Sequence, residues 1–82
     1  MIKKFILNKY GETTLEDRVV QILSAQMQDD NLVVWMNTAT THSVPLRKVT
    51  FIAVYTGDPA PGATNYISTV QDDDLVYHVY AT

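Results

Sequence analysis

The stretch that decides the fold is the last third of the chain, TGDPAP (residues 56–61) followed by NYISTVQDDDLVYHVY (residues 65–80). A loop containing glycine and proline precedes two runs rich in Val, Ile, Thr and aromatic residues, and three consecutive aspartates separate those runs. Such runs favour pleated, half-buried strands, and aspartate tolerates the tight backbone of a short hairpin loop. The pattern predicts that the chain ends in a β-hairpin.

The same strand-like pattern extends towards the N-terminus, where residues 32–36 form the apolar run LVVWM and residues 49–55 alternate between two faces. Residues 3–7 form another short, partly apolar run, and Asp and Asn at 29–31 mark a further turn. We therefore expect one all-β domain over residues 1–82, built of six to seven short antiparallel strands. The pattern leaves a small barrel and a sandwich equally open.

Residues 14–27 allow two interpretations. Their apolar residues fall near helical spacing, and Thr13 with Glu16 matches a helix capping box. Alternatively, residues 13–16 form one strand, a turn follows, and residues 21–28 form a second strand. The pattern alone does not decide between the helix and the strands.

Length and composition restrict the class of protein. The chain has 82 residues, of which 46% are hydrophobic and 18% are charged. This length and composition predict one folded domain and not a disordered segment. The absence of cysteine excludes disulfides and thiolate metal sites. A net charge of −3 with six Lys and Arg argues against a nucleic-acid polymer as partner. The sequence shows no membrane-spanning run and no signal-peptide pattern, so we expect no membrane association.

Five short motifs carry a family resemblance. They are ILSAQ at residues 22–26, Trp35, TGDP at residues 56–59, YISTVQ at residues 66–71 and HVY at residues 78–80. In this order the motifs resemble a family of small uncharacterised proteins found mostly in tailed bacteriophages and prophages, although Ser68 stands where that family commonly has glycine. The resemblance favours a strand over residues 21–28. It implies a phage accessory protein in the cytoplasm of a host bacterium, and it brings no established activity.

Catalytic and metal-binding patterns are weak. His42 lies in a polar stretch that resembles a loop, His78 lies within a predicted strand, and no serine has a nucleophile-elbow context. Asp72, Asp73 and Asp74 are consecutive, so they lack the alternating ligand spacing of a calcium loop and are expected to form a solvated turn. Trp35 is expected to fill the core with its large apolar body. We predict that the protein is not an enzyme and needs no cofactor or metal.

Uncharged polar residues at alternate strand positions are the most suggestive feature for function. Gln26 and Gln28 share one strand face, as do Thr69 and Gln71, and such rows suit recognition of a neutral base, sugar or peptide edge. The alternative interpretation is an ordinary solvent-facing side of an antiparallel sheet. The predicted ligand-binding residues are Gln26, Gln28, Arg47, Lys48, Tyr66, Thr69, Gln71, Tyr77 and His78.

Three functions agree with these features. The first is a non-catalytic binding protein that serves phage counter-defence, in which a homo-oligomer sequesters a nucleotide-type signal molecule of the host. Arg47 or Lys48 would supply positive charge, and Tyr66 or Tyr77 would stack on the ligand. The second is an inhibitor of a host protein that uses an acidic surface formed by Asp29, Asp30 and residues 72–74. The third is a minor virion or structural protein.

Overall fold

The computed structural model describes residues 1–82 and contains seven antiparallel strands and no helix. The strands are β1 (Ile2–Leu7), β2 (Gly11–Asp17), β3 (Val19–Gln28), β4 (Asn31–Thr38), β5 (Arg47–Tyr55), β6 (Asn65–Asp72) and β7 (Leu75–Ala81). The all-β prediction is confirmed, and the predicted C-terminal hairpin is the β6–β7 pair. The structure has no helix that could span a membrane.

The strands form two sheets that pack as a sandwich. The three-stranded sheet has the order β1-β4-β3, and the four-stranded sheet has the order β2-β5-β7-β6. The edges of the two sheets are joined by side chains and not by a backbone ladder. The backbone amide of Ala25 donates to Ser68 Oγ at 3.0 Å between β3 and β6, and Lys3 Nζ donates to Asp17 Oδ2 at 2.9 Å between β1 and β2. Of the two architectures left open by the sequence, the structure is therefore the sandwich.

The core lies between the inner faces of the two sheets. The four-stranded sheet contributes Val49, Phe51 and Ala53 from β5 and Val79 from β7, all buried. The three-stranded sheet contributes Leu32, Val34 and Met36 from β4, which is its central strand. Since inward residues alternate with outward ones along each strand, the residues between these core positions form the outer faces of the sandwich.

The segment 14–27 lies within β2 and β3, and only Arg18 separates the two strands. The helical interpretation is therefore wrong, and β-bulges in β3 explain why its pattern resembled a helix. The register with β4 shifts between Val19 and Gln21 and again between Ile22 and Ser24. Each bulge inserts one extra residue, so Val19, Ile22 and Ala25 all face the core at a spacing of three. A bulged strand thereby reproduces the apolar spacing of a helix.

Trp35 does not fill the core, contrary to the sequence-based expectation. Its neighbours in β4, Val34 and Met36, occupy the inner face, so alternation along the strand turns the indole outward. On the outer face of the three-stranded sheet Trp35 is half-buried and lies opposite Lys4 and Ser24. The sequence pattern failed here because five consecutive residues of β4, 32–36, are apolar or aromatic and give no alternation.

Candidate functional site

The outer face of the four-stranded sheet combines apolar and polar groups in an unusual proportion. On its two central strands, Ile52 lies opposite Tyr80 and Val54 lies opposite His78, and all four side chains are half-buried. On the edge strand β6, Tyr66 lies opposite Tyr80 and Thr69 lies opposite His78. We call this surface the His78 face, defined by Ile52, Val54, Thr56, Tyr66, Thr69, Gln71, Val76, His78 and Tyr80.

A chain of hydrogen bonds crosses the His78 face. Thr56 Oγ1 lies 2.8 Å from His78 Nε2, and Thr69 Oγ1 lies 3.0 Å from His78 Nδ1. Tyr66 OH extends the chain, 2.7 Å from Thr69 Oγ1. Because hydroxyls bond both ring nitrogens, the imidazole is fixed in orientation, and each hydroxyl can act as donor or acceptor. The face therefore presents hydrogen-bonding groups that can either donate to or accept from a molecule that contacts them.

A β-bulge in β6 produces the contact between Tyr66 and Thr69. The register with β7 shifts between Tyr66 and Ser68, so one residue is inserted in the edge strand. Without the bulge, two residues three positions apart would point to opposite faces. With it, Tyr66 and Thr69 both point outward. Tyr66 also packs edge-on against Tyr80, with ring centroids 5.8 Å apart.

A cleft of about 400 Å³ adjoins the His78 face where β5 ends and β7 begins. Its walls are formed by Tyr55, Thr56, Asp74, Leu75 and Val76. Thr56 belongs to both surfaces, because its side chain bonds His78 and also lines the cleft. We call this feature the Asp74 cleft.

The chemistry of the His78 face suits recognition. No carboxylate is bonded to His78, so the ring lacks the acidic partner that orients a general base in a catalytic triad. The structure also contains no group of three His, Asp or Glu side chains placed to hold a metal ion. What the surface offers is a line of hydroxyl and imidazole groups beside aliphatic and aromatic side chains, which is the composition of a small-molecule site.

Four of the predicted binding residues share this surface: Tyr66, Thr69, Gln71 and His78. The sequence pattern placed Thr69 and Gln71 on one strand face, and the structure agrees. The sequence placed Thr56 in the TGDP motif but not among the binding residues, and it did not predict the β6 bulge that brings Tyr66 to the same side. The sequence contains one trace of each feature. For Thr56 it is a polar residue directly after an alternating strand, and for the bulge it is a tyrosine three residues before a threonine.

The other predicted residues lie elsewhere in the protomer. Gln26 and Gln28 are on the outer face of the three-stranded sheet, where Lys4 Nζ donates to Gln28 Oε1. Lys48 is on the outer side of β5 but six residues before Val54, about 20 Å away along the strand. Arg47 donates to the backbone carbonyl of Thr82 at 3.3 Å. One protomer therefore does not bring the predicted set together.

Tyr77 faces the interior, with 1% of its surface exposed. Its ring stacks on Tyr55 with centroids 5.1 Å apart and meets Tyr10 edge-on at 5.9 Å. The hydrogen bond to Tyr10 OH, together with burial, raises the pKa of Tyr77 to about 12. Of the two tyrosines predicted to stack on a ligand, Tyr77 therefore belongs to this aromatic cluster, and only Tyr66, of which 58% is exposed, lies on the His78 face.

Comparison with known proteins gives one match. The model of a family described as "Domain of unknown function (DUF7352)" matches residues 1–82. None of the curated proteins compared with the chain matches it, and no solved structure does.

Proposed function

Because the chain belongs to the DUF7352 family, whose function is unknown, we propose a function from its surface: a non-catalytic binding protein that captures a small ligand on the His78 face. The observation that carries this proposal is the hydrogen-bonded chain Thr56–His78–Thr69–Tyr66 on a sheet face that also carries half-buried apolar side chains. On an ordinary solvent-facing side of an antiparallel sheet, polar residues would predominate.

The surface favours a flat ligand with hydrogen-bonding edges, such as a nucleobase or a similar heterocycle. Ile52, Val54 and Tyr80 offer an apolar floor for a ring, and the exposed Tyr66 offers an aromatic side chain for stacking. The edge of the ring would meet His78 and Thr69, whose hydrogens reorient to match either donors or acceptors. A nucleotide-type ligand has this combination of a flat face and a polar edge.

An oligomer is part of the proposal, because Tyr66 and Thr69 at the β6 edge of the His78 face are exposed in a single protomer. The outer face of the three-stranded sheet carries the exposed Ile2 and Ile6 together with Gln26 and Gln28. If this face of one copy covers the His78 face of the next, the two glutamines join the ligand site and the apolar side chains of both faces are buried. The contact is heterologous, so the copies would assemble head to tail, and we propose that the rotation between them closes into a ring.

The biological role that we propose is counter-defence by a bacteriophage. In the cytoplasm of the host, the oligomer would bind a nucleotide-type signal molecule of the host and hold it away from its receptor. The support for this role is the resemblance of the five short motifs to phage and prophage proteins and the recognition chemistry of the His78 face.

The test is thermal stabilisation by a panel of nucleosides, nucleotides and cyclic oligonucleotides. A ligand that binds only the folded state raises the free energy of unfolding by about 2.7 kcal/mol at a hundredfold excess over its dissociation constant. We expect at least one compound to raise the melting temperature of the natural protein and to lose this effect in Thr69→Val.

The matched control is Thr14→Val, which makes the same change on the outer face of the same sheet, where Thr14 Oγ1 lies 2.9 Å from Thr50 Oγ1 and far from His78 in the sheet order. This variant should keep the stabilisation. The proposal fails if no compound stabilises the protein, or if Thr14→Val and Thr69→Val abolish the stabilisation equally.

A further inference from the structure

Three of the connections between strands lie at one end of the sandwich, and a fourth, the β5–β6 connection, starts there. The register pairs Leu7 with Leu32, Gly11 with Ala53 and Tyr55 with Tyr77, so β1, β3, β5 and β6 end where β2, β4 and β7 begin. We call this the acidic end, because it carries six of the nine acidic residues of the chain: Asp29, Asp30, Asp58, Asp72, Asp73 and Asp74. The only basic residue in these turns is Lys9, which pairs with Asp72 at 3.1 Å.

The Asp74 cleft opens at this end and is a concave surface, unlike the rest of the turns. Leu75 and Val76 form an aliphatic wall, and Tyr55 forms an aromatic one. Asp74 forms no ion pair, so its negative charge is available to a ligand. Asp58 stands next to the cleft, where its carboxylate accepts a hydrogen bond from the backbone amide of Tyr55 at 3.1 Å.

The tyrosines beside the cleft add a second attraction for a cation. Tyr55 and Tyr10 lie with ring centroids 5.0 Å apart, and 59% of Tyr10 is exposed. The face of an aromatic ring carries negative potential and attracts ammonium and guanidinium groups. An arginine side chain matches this surface better than a lysine, because its planar guanidinium can stack on a ring while it hydrogen-bonds a carboxylate.

We propose that the Asp74 cleft binds an arginine side chain of a basic peptide segment in a partner protein. The aliphatic stem of the arginine would lie on Leu75 and Val76, and its guanidinium would reach Asp74 beside the ring of Tyr55. The occupant is a protein segment and not a free cation, because the negative charge extends from the cleft over Asp29, Asp30 and Asp73, which only a chain with several positive charges can cover. This site shares Thr56 and Val76 with the His78 face, but the groups that would hold the arginine, Asp74, Leu75 and Tyr55, are not part of that face.

The test is fluorescence anisotropy with a labelled peptide that alternates six arginines with glycines, added to the full-length protein at low ionic strength. We expect saturable binding that weakens as salt is added, since exposed charges are screened beyond about 10 Å at 0.1 M salt. Asp74→Asn removes one exposed charge pair and should weaken binding about fivefold. Leu75→Ala should also weaken binding, without any change of charge.

Glu16→Gln is the matched control, because it removes the same charge from β2 at the opposite end of the sheet, where Glu16 lies across from Lys48. Its affinity should stay within about twofold of that of the natural protein. Three results would overturn the inference: no binding of the peptide, equal weakening by Glu16→Gln and Asp74→Asn, or binding of arginine amide alone as tight as that of the peptide. The last result would indicate a small-cation site. None of these outcomes bears on the nucleotide panel, which tests the His78 face.

Discussion

At the scale of single residues, Tyr77 shows how the fold changes the chemistry of a side chain. Its hydroxyl group lies 3.5 Å from that of Tyr10, and its ring is enclosed by the aromatic cluster. The phenolate form would lose the hydrogen that Tyr77 donates to Tyr10 and would be poorly solvated, so the folded state holds the phenol proton more tightly than the unfolded chain does. This raises the pKa of Tyr77 from 10.0 to about 12.

The raised pKa predicts a loss of stability in alkali. Below pH 10 both states carry the proton and stability is unaffected; between pH 10 and about 12 the unfolded state loses its proton first, so the free energy of unfolding falls as the pH rises. Tyr77→Phe cannot titrate, so urea unfolding between pH 8 and 11.5 should show a shallower decline in this variant than in the natural protein. Tyr66→Phe, which changes an exposed tyrosine, should decline like the natural protein. Parallel curves for all three proteins would refute the assignment.

Asp17 is a second residue whose titration affects stability, in this case in acid. Its pKa is lowered by the hydrogen bond from Lys3 and then by the one from the backbone amide of Arg18. The stabilisation from this carboxylate is present above the pKa of an ordinary aspartate and is lost as the pH falls through the lowered value. The ion pair also ties β1 to β2, so the same contact matters for the sandwich edge.

At the scale of strands, the bulges decide what the sequence could and could not predict. The β6–β7 hairpin could be predicted from the sequence because its two-residue loop begins with Asp73. This residue has a φ of 53°, a conformation that aspartate tolerates better than most residues. Strand β3 was ambiguous because its bulges spaced apolar residues like a helix. The outward position of His78 follows from the burial of Tyr77 and Val79, and alternation alone could not decide which of the two faces of β7 met the core.

The β3–β6 edge predicts a stability effect at a single side chain. Ser68 Oγ accepts the hydrogen bond from the Ala25 amide, and Ala25 is buried, so loss of the hydroxyl leaves a buried donor without a partner. We expect Ser68→Ala to lower the free energy of unfolding by about 1–3 kcal/mol. In the control Ser24→Ala the half-buried serine forms no side-chain hydrogen bond, so that variant should differ from the natural protein by less than about 0.5 kcal/mol. Equal urea midpoints for the two variants would show that the bond does not join the sheets.

At the scale of the whole molecule, the His78 face and the acidic end are two surfaces of different chemistry, and β5, β6 and β7 contribute to both. The His78 face is apolar with adaptable hydrogen-bonding groups, and the acidic end carries uncompensated negative charge. The sequence indicated some of the residues of each surface, but it could not group them. Alternation assigns a residue to a face, whereas the arrangement of strands in the sheet decides which residues of different strands become neighbours. Thus Thr56 and His78 are in contact although 22 positions separate them.

Capture of a small molecule on the His78 face of an oligomer is best tested by native mass spectrometry of the protein isolated from bacterial cytoplasm. We expect an oligomer that retains an adduct with the mass of a small metabolite, loss of this adduct in Thr69→Val, and its retention in Thr14→Val. A monomer, or an oligomer whose mass is that of its chains alone in all three proteins, would contradict it.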